Sequence, residues 1–282
     1  MIDKDFFTIP TEHFTIEGRS RAGHETYFRI RELGIVLDIG RCPDMAIGVP
    51  DIFITHAHLD HALGIPFYAG QRHLQRIPGG RVFVPVEAAD DFRALMLLHQ
   101  KLEDTGYDIE IVGVADGESI ALGKGHEACG HRATHRVAAR AYEFLEVRHR
   151  LLPQFAGRDD IGELRRRGVK VAEEYRHPLL FYTGDTDRGI LESNAALFKS
   201  EVLLIECSFV ADGDQERAAR YRHIHFDAIA EFADRFENRL IVLTHFSRRY
   251  SRGDIRDEIR RRCPAVIRER IRLALPEPFQ RL

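Results

Sequence analysis

Three histidines and an aspartate fall within six positions of one run, Thr55-His56-Ala57-His58-Leu59-Asp60-His61. The run follows directly on Ile52-Phe53-Ile54, an apolar stretch with the pattern of a buried strand. Neutral imidazole and carboxylate suit Zn²⁺ and its neighbours in the first transition row. On an extended backbone His56 and His58 alternate and can point to one side. Asp60 and His61 come where the chain turns into a helix expected from Ala62, and they can face a second ion. A solvated, histidine-rich turn is the plain alternative. Against it stands the placement of four ligands straight after a buried strand.

The rest of the chain is consistent with a core able to hold such a site. With 282 residues, 44% hydrophobic and 30% charged, it reads as a soluble globular protein long enough for a large core. Met1-Ile2-Asp3-Lys4-Asp5 lacks the basic and apolar regions of a signal peptide, and no apolar run is long enough for a spanning helix. No membrane association is therefore expected. Cys42, Cys129, Cys207 and Cys263 are scattered without a CxxC pair, so reduced thiols in the cytoplasm are the default. A net charge of −3 gives bulk electrostatics no role in binding a polyanion, which would need a local basic surface.

Short apolar runs from Phe14 to Asp38 read as a strand meander, with a break at Gly40-Arg41-Cys42-Pro43. Helices are expected over Ala62–Gln75, Glu87–Glu103, Asp160–Arg167, Phe226–Phe236 and Asp254–Arg262. Strands are expected at 52–55, 81–84, 109–112, 141–147, 179–183, 202–206, 240–244 and 271–275. The charged, irregular segment from about 148 to 174 reads as a surface excursion from a single domain spanning 1–282. Strands and helices mix throughout, and no internal repeat is visible, so the class is α/β.

Several strands end alike. Thr55 precedes His56, Thr183-Gly184 precedes Asp185, and Thr244 precedes His245. Taken alone, Asp185 or His245 reads as a cap or a satisfied polar group. Strands that each deliver one ligand to a common sheet edge are also how a precise metal site is built.

Thr-His-Ala-His-Leu-Asp-His resembles the HxHxDH signature of the metallo-β-lactamase superfamily, whose fold is a four-layer αβ/βα sandwich. Further motifs resemble the tRNase Z (ribonuclease Z) family, especially its short plant-type enzymes. These are Thr134-His135 seven residues before Tyr142, Tyr182-Thr183-Gly184-Asp185-Thr186, Ile205-Glu206-Cys207-Ser208-Phe209, His223-Ile224-His225 and Leu243 to Tyr250. Asp38 to Pro43 and Phe236-Glu237-Asn238 add to the likeness, which runs from about Ile16 to the C-terminus. HxHxDH alone marks the superfamily; the block His245-Phe246-Ser247-Arg248-Arg249-Tyr250 is more specific.

The resemblance implies two zinc ions, with manganese or iron as substitutes. His56, His58 and His135 would hold one; Asp60, His61 and His245 the other; Asp185 would bridge them. His131 rivals His135, but the spacing to Tyr142 favours the latter. Paired ions suit an anionic phosphodiester. Asp60 would also orient or deprotonate the attacking water, and His223, held by Glu206, would protonate the leaving 3′-oxygen. A surface histidine at a helix cap is the other reading of His223. The implied activity is endonucleolytic removal of 3′ trailers from precursor tRNA by a homodimer.

Two departures bear on the substrate. Family members project a flexible arm that grips tRNA, and residues 148–174 have no arm of that length or composition. Ala141 replaces the glycine usual before the tyrosine that matches Tyr142. Another phosphodiester, or a small cyclic nucleotide, lactone or sulfate ester, is the alternative substrate. A non-catalytic relative would have eroded ligands, and all seven are present. His225, where the family often has a small hydroxyl residue, and Arg248 and Arg249 have open roles. The arginines could clamp phosphate or lie on a solvated turn.

Overall fold

The structure, a computed structural model, describes residues 5–282, so most of the stretch read for a signal peptide lies outside it. The first half begins with β1 (Phe7–Pro10), β2 (Thr15–Arg21), β3 (Glu25–Ile30) and β4 (Ile35–Ile39), an antiparallel meander. β2 alternates buried and half-buried residues, as a strand with one face on a core must. Helix α1 (Asp44–Ile47) leads to β5 (Asp51–Phe53). The expected 62–75 helix is instead two, α2 (Leu59–Ala62) and α3 (Ile65–Leu74). They break at Gly64, where any Cβ would lie 2.4 Å from the Cys42 amide nitrogen, and Pro66 fits the new first turn. β6 (Arg81–Pro85), α4 (Ala89–Glu103) and β7 (Glu110–Val114) follow. From β4 to β7 the pairing is parallel, and the sheet runs in order β1 to β7.

The second half repeats this scheme. β8 (Ser119–Leu122), β9 (His126–Ala133), β10 (Ala139–Leu151) and β11 (Ala172–Tyr182) are antiparallel. Parallel β12 (Val202–Glu206), β13 (Leu240–Thr244) and β14 (Ile271–Leu273) then extend the sheet. Helix α5 (Ile161–Arg166) lies between β10 and β11, and α6 (Gly189–Ser193) follows β11. α7 (Gln215–Tyr221) and α8 (Phe226–Glu231) lie between β12 and β13; α9 (Arg252–Arg262) and α10 (Ala265–Arg268) lie between β13 and β14. The expected 226–236 helix stops at Glu231, and a tighter 3₁₀ turn brings Phe236 and Arg235 onto the ring of Phe198. Strand also runs into the stretch read as irregular. β10 and β11 pair out to Leu151 and Ala172, held by Arg150–Glu173 across the strands.

Between the sheets lies an aromatic core that includes Phe28, Phe53, Phe83, Tyr142, Phe144 and Tyr182. Phe53 stacks on Phe83 and meets Tyr142 and Phe144 edge-on, the geometries aromatic rings favour. A second core packs α1–α4 on the outside of the first sheet, and a third packs α6, α8, α9 and α10 on the outside of the other. The layers are therefore helix, sheet, sheet, helix, the αβ/βα sandwich. No described helix is long and apolar enough to cross a membrane.

Candidate metal centre

The expected site residues come from both sheets and meet at one edge. His56 follows β5, His135 follows β9, Asp185 follows β11 and His245 follows β13; Asp60 and His61 lie in α2, with His58 as its N-cap residue. Two of the turns demand unusual backbone. Gly184 has φ +57°, and a Cβ there would lie 2.5 Å from Thr55 Cβ. His245 takes φ +60°, uncommon for a residue with a side chain.

Ring nitrogens converge as imidazoles seldom do without a cation between them. His58 Nδ1 lies 2.9 Å from His56 Nε2 and 3.3 Å from His135 Nε2. His61 Nε2 and His245 Nε2 are 3.3 Å apart, with Asp60 Oδ2 3.6 and 3.5 Å from them. Asp185 reaches both groups, with Oδ2 3.7 Å from His56 and 3.3 Å from His245, and Oδ1 3.5 Å from His61. Ligands about 2.1 Å from a tetrahedral zinc stand roughly 3.3 Å from one another, the spacing seen here. Asp185 Oδ1 is buried without a hydrogen-bond partner, a costly state that a bridging cation relieves. The residues fit a metal centre. Among the described residues, His56, His58, His135 and Asp185 form one ligand group, Asp60, His61 and His245 another, and Asp185, His223 and His245 a third.

Outer partners fix which nitrogen faces inward. Thr55 gives its proton to Asp38, so its Oγ1 accepts from His56 Nδ1–H at 3.0 Å. His61 Nδ1–H donates to Asp38 Oδ2 at 2.7 Å, and His135 Nδ1–H to the Arg222 carbonyl at 3.1 Å. Ser208 donates to Glu206 and accepts from His245 Nδ1–H at 2.9 Å. Each of these four rings keeps Nε2 for the centre; His58 alone turns Nδ1 to it. The Gly23 amide, in the β2–β3 turn, donates to Asp60 Oδ2 at 2.7 Å and orients that carboxylate.

Charge agrees with geometry. Burial lowers the pKa of His56, His58 and His135, favouring the neutral form that binds metal. Burial would raise Asp60, but the His245 hydrogen bond and the charges of His61 and His245 hold it well below the usual range. Asp185 goes the same way: burial opposes ionisation and His245 and His61 overcome it. His61 is pushed up despite its burial, by Asp185 and Asp38. A cation held between Asp185 and His61 Nε2 would take the place of that proton and offset the same carboxylates.

His223 lies against the cluster, its ring 5.1 Å from that of His135 and 5.3 Å from that of His245. Its Nδ1–H donates to Glu206 Oε1 at 2.8 Å. Burial lowers its pKa, but Glu206 beside it outweighs this and carries it up to about 9. Glu206 also accepts from the amides of Thr186, Ser208 and Ile224, which lock its orientation.

The open assignments resolve differently. His131 bonds Glu143 on the neighbouring strand and stays outside the ligand groups. The helix-cap alternative for His223 belongs to His225, which caps α8 by accepting from the Asp227 amide and donates to the Ala211 carbonyl. Arg248 and Arg249 are exposed. Sequence reasoning missed Asp38, Ser208 and the carbonyl of Arg222. Asp38 and Ser208 each lie in a stretch that carries the family likeness, yet nothing in their type or spacing marked them as partners of a ligand.

Comparison with known proteins agrees with this geometry. The Beta-lactamase superfamily domain matches residues 43–246. tRNase Z TRZ1 of Arabidopsis thaliana is 33% identical over 253 residues, covering 88% of this chain and 90% of that one. The metallo-beta-lactamase fold protein YhfI from Bacillus subtilis aligns with a TM-score of 0.62 at 13% identity, over 91% of this chain and 93% of that one. The short form of human tRNase Z aligns at 0.57 and 19%, over 82% and 91%. Identities this low speak for the fold alone.

Proposed function

This chain belongs to the tRNase Z family of the metallo-β-lactamase superfamily and is a metal-dependent hydrolase; from that premise we propose that it cuts a phosphodiester of RNA, removing the 3′ trailer of precursor tRNA. The observation that carries the reading is the Glu206–His223 pair set against the ligand cluster. A phosphodiester splits with an alkoxide leaving group that needs a proton. His223, charged at neutral pH and offering Nε2, is placed to give it.

His56, His58, His135 and Asp185 would hold one ion; Asp60, His61 and His245, with Asp185 shared, the other. Bound zinc, manganese or iron would supply Lewis acidity for the phosphate and lower the pKa of water toward neutrality. Asp60, fixed by the Gly23 amide and held ionised, would orient the attacking water. Glu206 keeps His223 protonated and facing the phosphate. The unpaired cysteines fit a cytoplasmic setting. We also take the working form to be a homodimer, joined through an apolar face on α2, α3 and α4.

The purified protein with zinc or manganese should cut a 3′-extended precursor tRNA next to the discriminator nucleotide. Cleavage of bis(p-nitrophenyl) phosphate without cleavage of the precursor would refute the tRNA substrate, and far higher activity on a cyclic nucleotide, lactone or sulfate ester would refute the nuclease. His223→Ala should keep its metal content, measured by elemental analysis, and lose turnover by roughly 10²–10⁴. Loss of metal in that variant would make His223 a ligand, as the group it forms with Asp185 and His245 allows.

A further inference from the structure

Beside His223 a cavity of about 550 Å³ opens between the start of α6 and helices α7 and α8. We propose that it receives the base of the nucleoside carrying the leaving oxygen, the last nucleotide kept in the product. The inference rests on the RNA-cleaving reading and adds to it where that nucleotide sits.

Position is the first argument. His223 belongs both to the cavity wall and to the cluster with Asp185 and His245. Its Nδ1 is taken by Glu206, so a leaving oxygen must approach Nε2. The sugar bearing that oxygen then lies against the imidazole, and its base is one glycosidic bond further on. The cavity that shares the imidazole is within that reach, and its size is that of small-molecule pockets.

Shape is the second. Gly189, Ala218, Ala219 and Ala228 line the cavity, leaving room for a flat ring. The third is charge. Asp187, Glu192, Asp227 and Glu231 ring the space. Apart from His223, which faces the ligand cluster, the cation in the lining is Arg188, engaged by Glu192 and Glu231, while Asp227 is held by Gln215 and Arg262. Such a lining repels a phosphate. It accepts an uncharged base whose amino or imino hydrogens meet carboxylate oxygens. The phosphate stays with the ligand cluster and the base turns into the acidic cavity, so the two walls sort one nucleotide into its parts.

The test uses the full chain with metal and three substrates: a precursor tRNA, the same precursor with an abasic residue just upstream of the scissile bond, and bis(p-nitrophenyl) phosphate. Ala219→Phe fills the cavity from an exposed position of α7. Wild type should lose roughly ten- to a hundredfold in kcat/KM on the abasic precursor, the worth of one base contact. Ala219→Phe should show the same loss on the intact precursor relative to its own diester rate, with no further loss on the abasic one, because the two changes remove one interaction. Ala219→Leu, a milder filling, should fall between, and it serves if the phenylalanine variant does not fold. An unchanged ratio of precursor to diester activity in both variants overturns the pocket, as does an equal abasic penalty in wild type and variants. Failure of the nuclease reading shows separately, in a wild type that never cuts the intact precursor; that result overturns the pocket with it.

Discussion

Asp38 has no solvent exposure, yet it takes hydrogen bonds from the Thr55 amide and hydroxyl, from His61 Nδ1 and from the Tyr182 hydroxyl. It ties β4 to the histidine-rich run and to β11 through one carboxylate, and it does so at φ +50°. Strain of this kind is kept where the surroundings hold it, and here they converge on ligands. Removing the carboxylate leaves several buried donors without an acceptor, and His61 and His56 lose what fixes their rings. Asp38→Ala should therefore cost roughly 3–5 kcal/mol, read by thermal or denaturant unfolding. It should also weaken metal binding by about 10–100-fold in a chelator competition. Stability lost with metal affinity intact would mean that Asp38 holds the fold and not the centre. The candidate ligands stood out in the sequence because chemistry restricts metal ligands to a few residue types at short spacing, and the fold brings them together. Asp38 did not, since an aspartate at the end of a strand is compatible with a turn, a cap or a partner, and only the folded chain places His61 beside it.

At the scale of elements, the centre depends on how strands end. Gly184 is the sharpest case, because its left-handed backbone and its packing on Thr55 both exclude a side chain. Gly184→Ala should push Asp185 away from the ligand groups. The expected cost is about 1–2 kcal/mol for the backbone and about 1–3 kcal/mol for overpacking, with loss of metal by elemental analysis; a variant with normal stability and full metal would show that the turn tolerates a side chain. This turn was legible, since Thr183-Gly184-Asp185 follows a plain apolar run. Other elements were not. β1 is only four residues long, and β8 and β9 carry charged and small residues whose burial comes from the neighbouring strands. The outer parts of β10 and β11 are open to solvent, so they lack the apolar alternation that marks a strand, and pairing with each other supplies what hydrophobicity does not. The break at Gly64 depends on the approach of Cys42, a contact between residues far apart in the chain.

For the whole molecule, the unusual feature is a face that should not remain bare. Leu59 of α2, Leu63 at the break, Phe67 and Leu74 of α3, and Leu95, Leu98 and Leu102 at helical spacing along α4 are exposed; Leu59 is 69% exposed and Leu74 and Leu102 are 73% exposed. Leu59, Leu63, Phe67, Leu74 and Leu95 line a groove of about 550 Å³ that runs up to Ala57, within the metal-binding run. An apolar face on a typical monomer seldom exceeds roughly 300–600 Å², and larger ones mark interaction sites. A second copy would cover this face with its own identical one, as two-fold dimers do. The groove's reach to Ala57 would set the partner beside the catalytic edge. Wild type should sediment as a dimer at micromolar concentration, and Leu63→Glu with Phe67→Glu should sediment as a monomer. Both positions are more than half exposed, so the monomer should keep its fold, with unfolding changed by about 0.5 kcal/mol or less per site. Its activity on bis(p-nitrophenyl) phosphate then tells whether the centre is complete within one chain. A wild type that is monomeric at that concentration would instead leave this face to another partner and end the homodimer reading.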